Sequence, residues 1–325
     1  MRRCLLAAAA ALAAVSCGDS SAPASLINNG PSLAAQLDTL DAALGSPQLK
    51  SLGSLALPLL NIGVTVYTMD STMLGRTVEW DPIHRNLEFT LRPGVPSNAI
   101  RLMLYKNDAT GLPAVPKQEV GYAYLVPLNS HTGGRPDSVS LEITVFNNAT
   151  PSPAGVATIM AWRLPSDVPC GQCARFSASA GPVSIGNRTI HLDVPYHIPV
   201  GGDGQFAATS WGGGFSFSHT GTLPGPSSTA ATATLGFRFG NDSIVAVSGP
   251  LHPKSGRLVG ESNVTINGAP LATVTRTADS TTATGASGRP VAGTDLRVLD
   301  GLFSVPADMT YYIEWPVFVI FYCGC

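Results

Sequence analysis

Beyond Gly63, apolar and polar residues alternate with a period of two through segment after segment, and no helical run of crossover length separates those segments. Successive side chains of a strand point to opposite faces, so this alternation is the pattern of a sheet with one buried side. It is strict in Leu87–Arg92, where Leu87, Phe89 and Leu91 form the apolar set, and in Leu141–Val145, where Leu141, Ile143 and Val145 do. Ile190, Leu192, Val194 and Tyr196 fall on one face of a further strand, as do Leu235, Phe237 and Phe239 of the next. Arg101–Tyr105 and Gln118–Val126 flank the polar turn Asn107–Gly111 and are expected to pair, while Val156–Trp162 and Ser243–Ser248 read as further strands. The clearest turn is Asn267-Gly268, because Asn-Gly readily takes the two positive φ values of a type I′ hairpin. Strands joined by short polar turns pair antiparallel rather than through βαβ units. The expected fold is therefore mainly β, an antiparallel meander or pair of sheets, with a curved half-barrel as one form it can take.

The composition agrees with many short strands: 34 Gly and 26 Pro supply turns, and charged residues are 12%, about half the usual share. With 19 basic and 21 acidic residues the chain carries no clustered cationic face of the kind nucleic acids require. Two stretches depart from the strand pattern. Ser32 can cap a helix in which Leu33, Leu37, Leu40 and Leu44 recur at helical spacing, and Leu49, Leu52 and Leu55 continue in a second helix from Pro47, which Pro58 is expected to stop. Residues 32–60 thus form a helical hairpin whose leucine face needs a cover, and a β body follows from 61 to 325, with a sub-boundary near 165–175. Thr277–Gly293 reads as a loop or frayed edge, Asp295–Phe303 as a short amphipathic stretch, and the aromatic, β-branched run Tyr311–Tyr322 as a buried final strand or strand pair.

The N-terminus carries a different message. Met1-Arg2-Arg3 is basic, Leu5–Ala14 is an apolar run too short to span a bilayer, and Ala14-Val15-Ser16-Cys17 closes it with small residues before a cysteine. This resembles the lipobox of bacterial lipoproteins. The resemblance implies that residues 1–16 are a leader, that Cys17 is lipidated, and that 17–31, small and polar, is a tether. Gly18 in place of Asp points, by the same resemblance, to the outer membrane.

Beyond Cys17, and with Cys4 in the leader, four cysteines remain: Cys170 and Cys173 in a C-x-x-C, and Cys323 and Cys325 at the C-terminus. In an oxidising compartment they are expected to form two disulfides, with three connectivities open; a four-thiolate zinc site and a redox-active pair are the alternatives. His191, Asp193 and His197 form a weaker metal or acid/base candidate on one strand, where a solvent-facing polar row is the simpler reading. No nucleophile elbow, H-E-x-x-H, phosphate-binding loop or dinucleotide fingerprint occurs, so neither an enzyme nor a cofactor is expected.

Two functions follow. The first is an exported, membrane-anchored structural or recognition module that meets an envelope protein or polysaccharide, with Trp80, Trp211 and Tyr122 expected on exposed loops. The second is a carrier of a lipid or other apolar small molecule, since helices beside a curved open sheet resemble the architecture of periplasmic lipoprotein carriers. An uncovered apolar concave face distinguishes the second.

Overall fold

The computed structural model describes residues 26–322 apart from 66–68, 70, 129–138, 149–152, 164–174, 186–187, 198–203, 213–214, 224–231, 240–241, 249–251 and 255–256. Two helices open it, α1 (Gly30–Leu44) and α2 (Pro47–Asn61). The strands of the N-terminal half are β1 (Thr77–Asp81), β2 (Asn86–Thr90), β3 (Ile100–Tyr105), β4 (Glu119–Pro127), β5 (Val139–Asn147), β6 (Gly155–Arg163), β7 (Arg175–Ile185) and β8 (Arg188–His197). Those of the second half are β9 (Gly204–Gly212), β10 (Phe215–Leu223), β11 (Thr232–Phe239), β12 (Asp242–Ser248), β13 (His252–Lys254), β14 (Arg257–Ile266), β15 (Ala269–Arg276) and β16 (Thr281–Gly285). The chain closes with α3 (Gly293–Met309), a π-helical turn (Thr310–Glu314) and α4 (Trp315–Tyr322). Among the described residues, no helix is long and apolar enough to cross a membrane.

The fold is mainly β, as the alternation predicts. From β3 to β12 every strand pairs antiparallel with its successor, and the path continues through β14 and β15 to an edge at β16, with β13 as a side pair on β14. The path runs on from β6 to β7 across the expected sub-boundary. At the other end the order is β3-β1-β2: β1 pairs parallel with β3, so the chain crosses over β1 on its way from the edge strand β2. The two edges do not meet, and the sheet stays open.

That crossover corrects the reading of Leu91. The alternation continues through it, but the strand ends at Thr90, and Leu91 is 89% exposed. Arg101 holds the departing chain by donating to the carbonyls of Arg92 (3.2 Å) and Pro93 (3.0 Å). Leu87, Leu141, Ile143, Val145, Leu235 and Phe237 are buried as expected, and Phe239 packs partly buried against the same core. Asn267 and Gly268 take φ values of 50° and 82°, the left-handed pair that the hairpin turn requires.

The leucine face of the first helices behaves as expected: Leu33, Leu37, Leu40, Leu44, Leu49, Leu52, Leu55 and Leu59 are each at most 1% exposed. Full burial stabilises by roughly 1.5–3 kcal/mol per such side chain. Two helix details differ. Asn29 occupies the cap position instead of Ser32. Pro58 does not stop α2: it lies in the last turn, where only one ladder bond is forfeited and Leu59 still reaches the core.

Larger corrections concern the C-terminal part. Within Thr277–Gly293, residues Thr281–Gly285 form an edge strand on β15, because the threonines suit extended backbone and the inward positions are the small Ala283 and Gly285. Tyr311–Tyr322 is helical, not a strand. It lies across the face of the sheet against α2 and β7, where no strand edge is open to it. Its backbone groups must therefore bond within the segment, which a helix achieves. Ile313, Val317 and Ile320 are buried.

Candidate functional site

The described helices pack against the sheet: α2 on β2 to β5, α1 and α4 on β7, and α3 on β11 and β16. Helix pairs meet at two glycines. A Cβ on Gly301 of α3 would come within 2.9 Å of the Leu37 Cβ of α1, and one on Gly53 of α2 within 3.0 Å of the Tyr311 carbonyl oxygen of the π-turn. These close approaches leave an open cleft at one end of the helix layer, of about 680 Å³, with a mostly polar lining.

α1, α2 and α3 each contribute residues four apart, which lie on one face of a helix. Asp41 and Gly45 come from the end of α1, Lys50 and Ser54 from α2, and Asp300, Ser304 and Asp308 from α3. The β3–β4 loop supplies Asn107 to Gly111, β15 supplies Arg276, and the π-turn supplies Tyr311 and Tyr312. π-helical turns are rare and recur at functional sites.

Hydrogen bonds fix the walls. Asn107 donates from Nδ2 to the Lys50 carbonyl (3.2 Å) and accepts at Oδ1 from the Ser54 hydroxyl (3.3 Å), so the loop is held against α2. The buried Ser51 hydroxyl accepts from the Tyr105 N–H (2.9 Å), and Gln48 donates to the Val120 carbonyl (2.8 Å), which ties α2 to both strands of the hairpin. Asp108 accepts from the hydroxyl (2.6 Å) and N–H (2.7 Å) of Thr110, and these bonds hold its carboxyl below the usual range. Asp300 accepts from the Thr281 hydroxyl at 2.6 Å. The Arg276 guanidinium sits 5.4 Å above the Phe303 ring, a cation–π contact.

Tyr311 is 49% exposed and meets Tyr312 edge-on with ring centroids 5.2 Å apart. Burial, reinforced by the charges of Asp308 and Asp41, pushes the Tyr312 phenol up to about 12. It is a donor throughout the neutral range. The cleft thus interleaves carboxylates (Asp41, Asp108, Asp300, Asp308), two cations (Lys50, Arg276), hydroxyls and an aromatic plate.

The residues singled out from the sequence lie elsewhere. Cys17, Cys170, Cys173, Cys323 and Cys325 fall outside the described residues. His191, Asp193 and His197 lie at same-side positions of β8; its register to β7 is continuous from Leu192 to His197, with Pro195 paired to Ser177, and shifts opposite His191. Of the aromatics expected on loops, Trp80 is buried in β1 at 3% exposure, Trp211 belongs to β9, and Tyr122 belongs to β4, stacked 5.1 Å from Phe146. Among the described residues, no group of three or more His, Cys, Asp or Glu is arranged to hold a metal.

Sequence reasoning missed the cleft because its residues come from six separate segments. One signal was available: Asp300, Ser304 and Asp308 recur every four residues, a polar stripe on a helix otherwise rich in leucine and valine. Compared with protein families, curated proteins and solved structures, the chain matches none.

Proposed function

We propose that this chain is an exported envelope protein, anchored through a lipid on Cys17, that works as a recognition module and not as a carrier of an apolar molecule. One observation supports the choice between them. Over β2 to β5 the face of the sheet, where a carrier would seat an acyl chain, is covered by α2, and eight leucines on α1 and α2 are at most 1% exposed. An open polar cleft is accessible instead, and it offers directional hydrogen bonds, the means by which a protein distinguishes polar partners. The lipobox-like leader supports the anchor, and the outer membrane is the proposed location.

Metabolic labelling with an alkyne fatty acid tests the anchor: the full chain takes up label and Cys17→Ser takes up none. Persistent labelling of the variant would falsify lipidation at that position. Organic extraction of the purified chain, followed by mass spectrometry, tests the rest. No stoichiometric non-covalent lipid is expected, and recovery of one lipid per chain restores the carrier.

A further inference from the structure

We propose that the cleft binds a neutral polyhydroxylated ligand, a sugar unit of a polysaccharide, seated against Tyr311. The inference deepens the recognition reading and rests on it. It proceeds by charge and polarity. An apolar ligand finds no matching wall. An anion or polyanion meets four carboxylates against two cations. A cation meets Lys50 in the same lining and Arg276 beneath it, and the carboxylates come from three elements and, among the described residues, form no group arranged to hold a metal. What fits alternating acceptors and donors is a ligand whose own groups are each both donor and acceptor, and hydroxyls are that group.

Sugars present hydroxyls around the rim of a ring and C–H groups on its face. The cleft answers both. Asp108 is ionised and fixed by its bonds to Thr110, so its carboxylate accepts, while Lys50 and the Tyr312 hydroxyl donate. Tyr311 offers a half-exposed ring braced edge-on by Tyr312, a flat surface of the size and polarity of a sugar's C–H face. The volume, about 680 Å³, lies within the ~300–1,000 Å³ range of small-molecule sites and leaves room for more than one ring.

Calorimetric titration of the full-length chain in detergent tests this, with neutral trisaccharides of glucose, mannose, galactose and N-acetylglucosamine, alongside spermine and inorganic phosphate. At least one trisaccharide is expected to bind, with an affinity nearly unchanged between about 0.05 M and about 0.5 M salt, because a neutral ligand is not screened. Tyr311→Ala is expected to weaken binding about tenfold or more, and Tyr311→Phe, which keeps the ring, to retain it. Both variants should melt like the parent, since the side chain is half in solvent. Binding of spermine or phosphate in place of every trisaccharide, a steep salt dependence, parental affinity in Tyr311→Ala, or no heat from any trisaccharide overturns the proposal. Fatty-acid labelling separates the two readings. An unlabelled chain that binds sugar loses only the anchor, and a labelled chain that binds none loses only the sugar site.

Discussion

α1 and α4 lie in the same core but are built on opposite plans. α1 buries one stripe, Leu33, Leu37, Leu40 and Leu44, and turns Ser32, Ala35, Asp38 and Thr39 to solvent. α4, Trp315-Pro-Val-Phe-Val-Ile-Phe-Tyr322, carries no charged residue, and Val317, Val319 and Ile320 are all buried although they do not share one helical stripe. A one-sided helix can serve as the wall of a domain, whereas a helix apolar on every side must be enclosed. Here it packs against α2, β7 and the π-turn. The comparison teaches that the amphipathic helices roof the core while the last helix fills it.

If filling and roof belong to one cooperative core, truncating either should be equally damaging. Leu52→Ala and Ile320→Ala are each expected to lower stability by about 2–5 kcal/mol in urea unfolding. A loss below about 1 kcal/mol for Ile320→Ala alone would make α4 a loosely docked appendage. A smaller effect probes how tightly the helices cross. Gly301→Ala gains about 1 kcal/mol of helix propensity, but its Cβ meets the Leu37 Cβ at 2.9 Å, a group fixed to the α1 backbone. Net destabilisation of about 1–2 kcal/mol is expected, measured the same way. An increase in stability would show that the α1–α3 crossing can yield.

The smallest effect lies away from both helix pairs. Arg92, just past β2, donates to Glu119 through Nη2 (2.7 Å) and Nη1 (3.2 Å), and its Nε pairs with Glu79 at 2.7 Å. The hydrogen bonds from Arg92 hold the Glu119 carboxyl below its ordinary 4.5. A carboxyl depressed on folding contributes stability above its unfolded pKa and loses it as the pH falls through the folded value. Glu119→Gln should therefore cost below about 1 kcal/mol at neutral pH, since the pair is partly exposed. It should also flatten the decline in melting temperature below about pH 4.5. An unchanged acid profile would show that Glu119 does not contribute to it.

These contrasts also explain what could be read from the residues alone. Leu33 to Leu44 and Leu141 to Val145 are legible because one face is buried and the other is wet, which writes a period into the sequence. Asn267-Gly268 is legible because few dipeptides accept two positive φ values. The run Trp315–Tyr322 carries no charged residue and so writes no helical period, and residue type alone favoured a strand. Leu91 continues a true alternation past the point where the chain leaves the sheet, a decision made by Arg101 and the crossover, not by Leu91. The cleft was illegible for a related reason. Asp41, Asp108 and Tyr311 become neighbours only through tertiary packing, and apart from the stripe on α3 no local spacing marks them.

The order of the sheet also bears on how the chain acquires its shape. From β3 to β12 each strand adds to the one just made, so pairing can proceed as a zipper of near-neighbour hairpins with little loop-closure entropy. The helix layer cannot. Asp38 of α1 pairs with Arg297 of α3, 259 residues later, and the Leu26 N–H donates to Asp295 across 269. During synthesis from the N-terminus α2 can dock on β2 to β5 early, but the leucines of α1, whose main partner is α3, must wait, sticky and uncovered, until nearly the whole chain has emerged. The slow step of maturation is then the late arrival of the C-terminal helices, and the interval before it is when this protein most needs a chaperone.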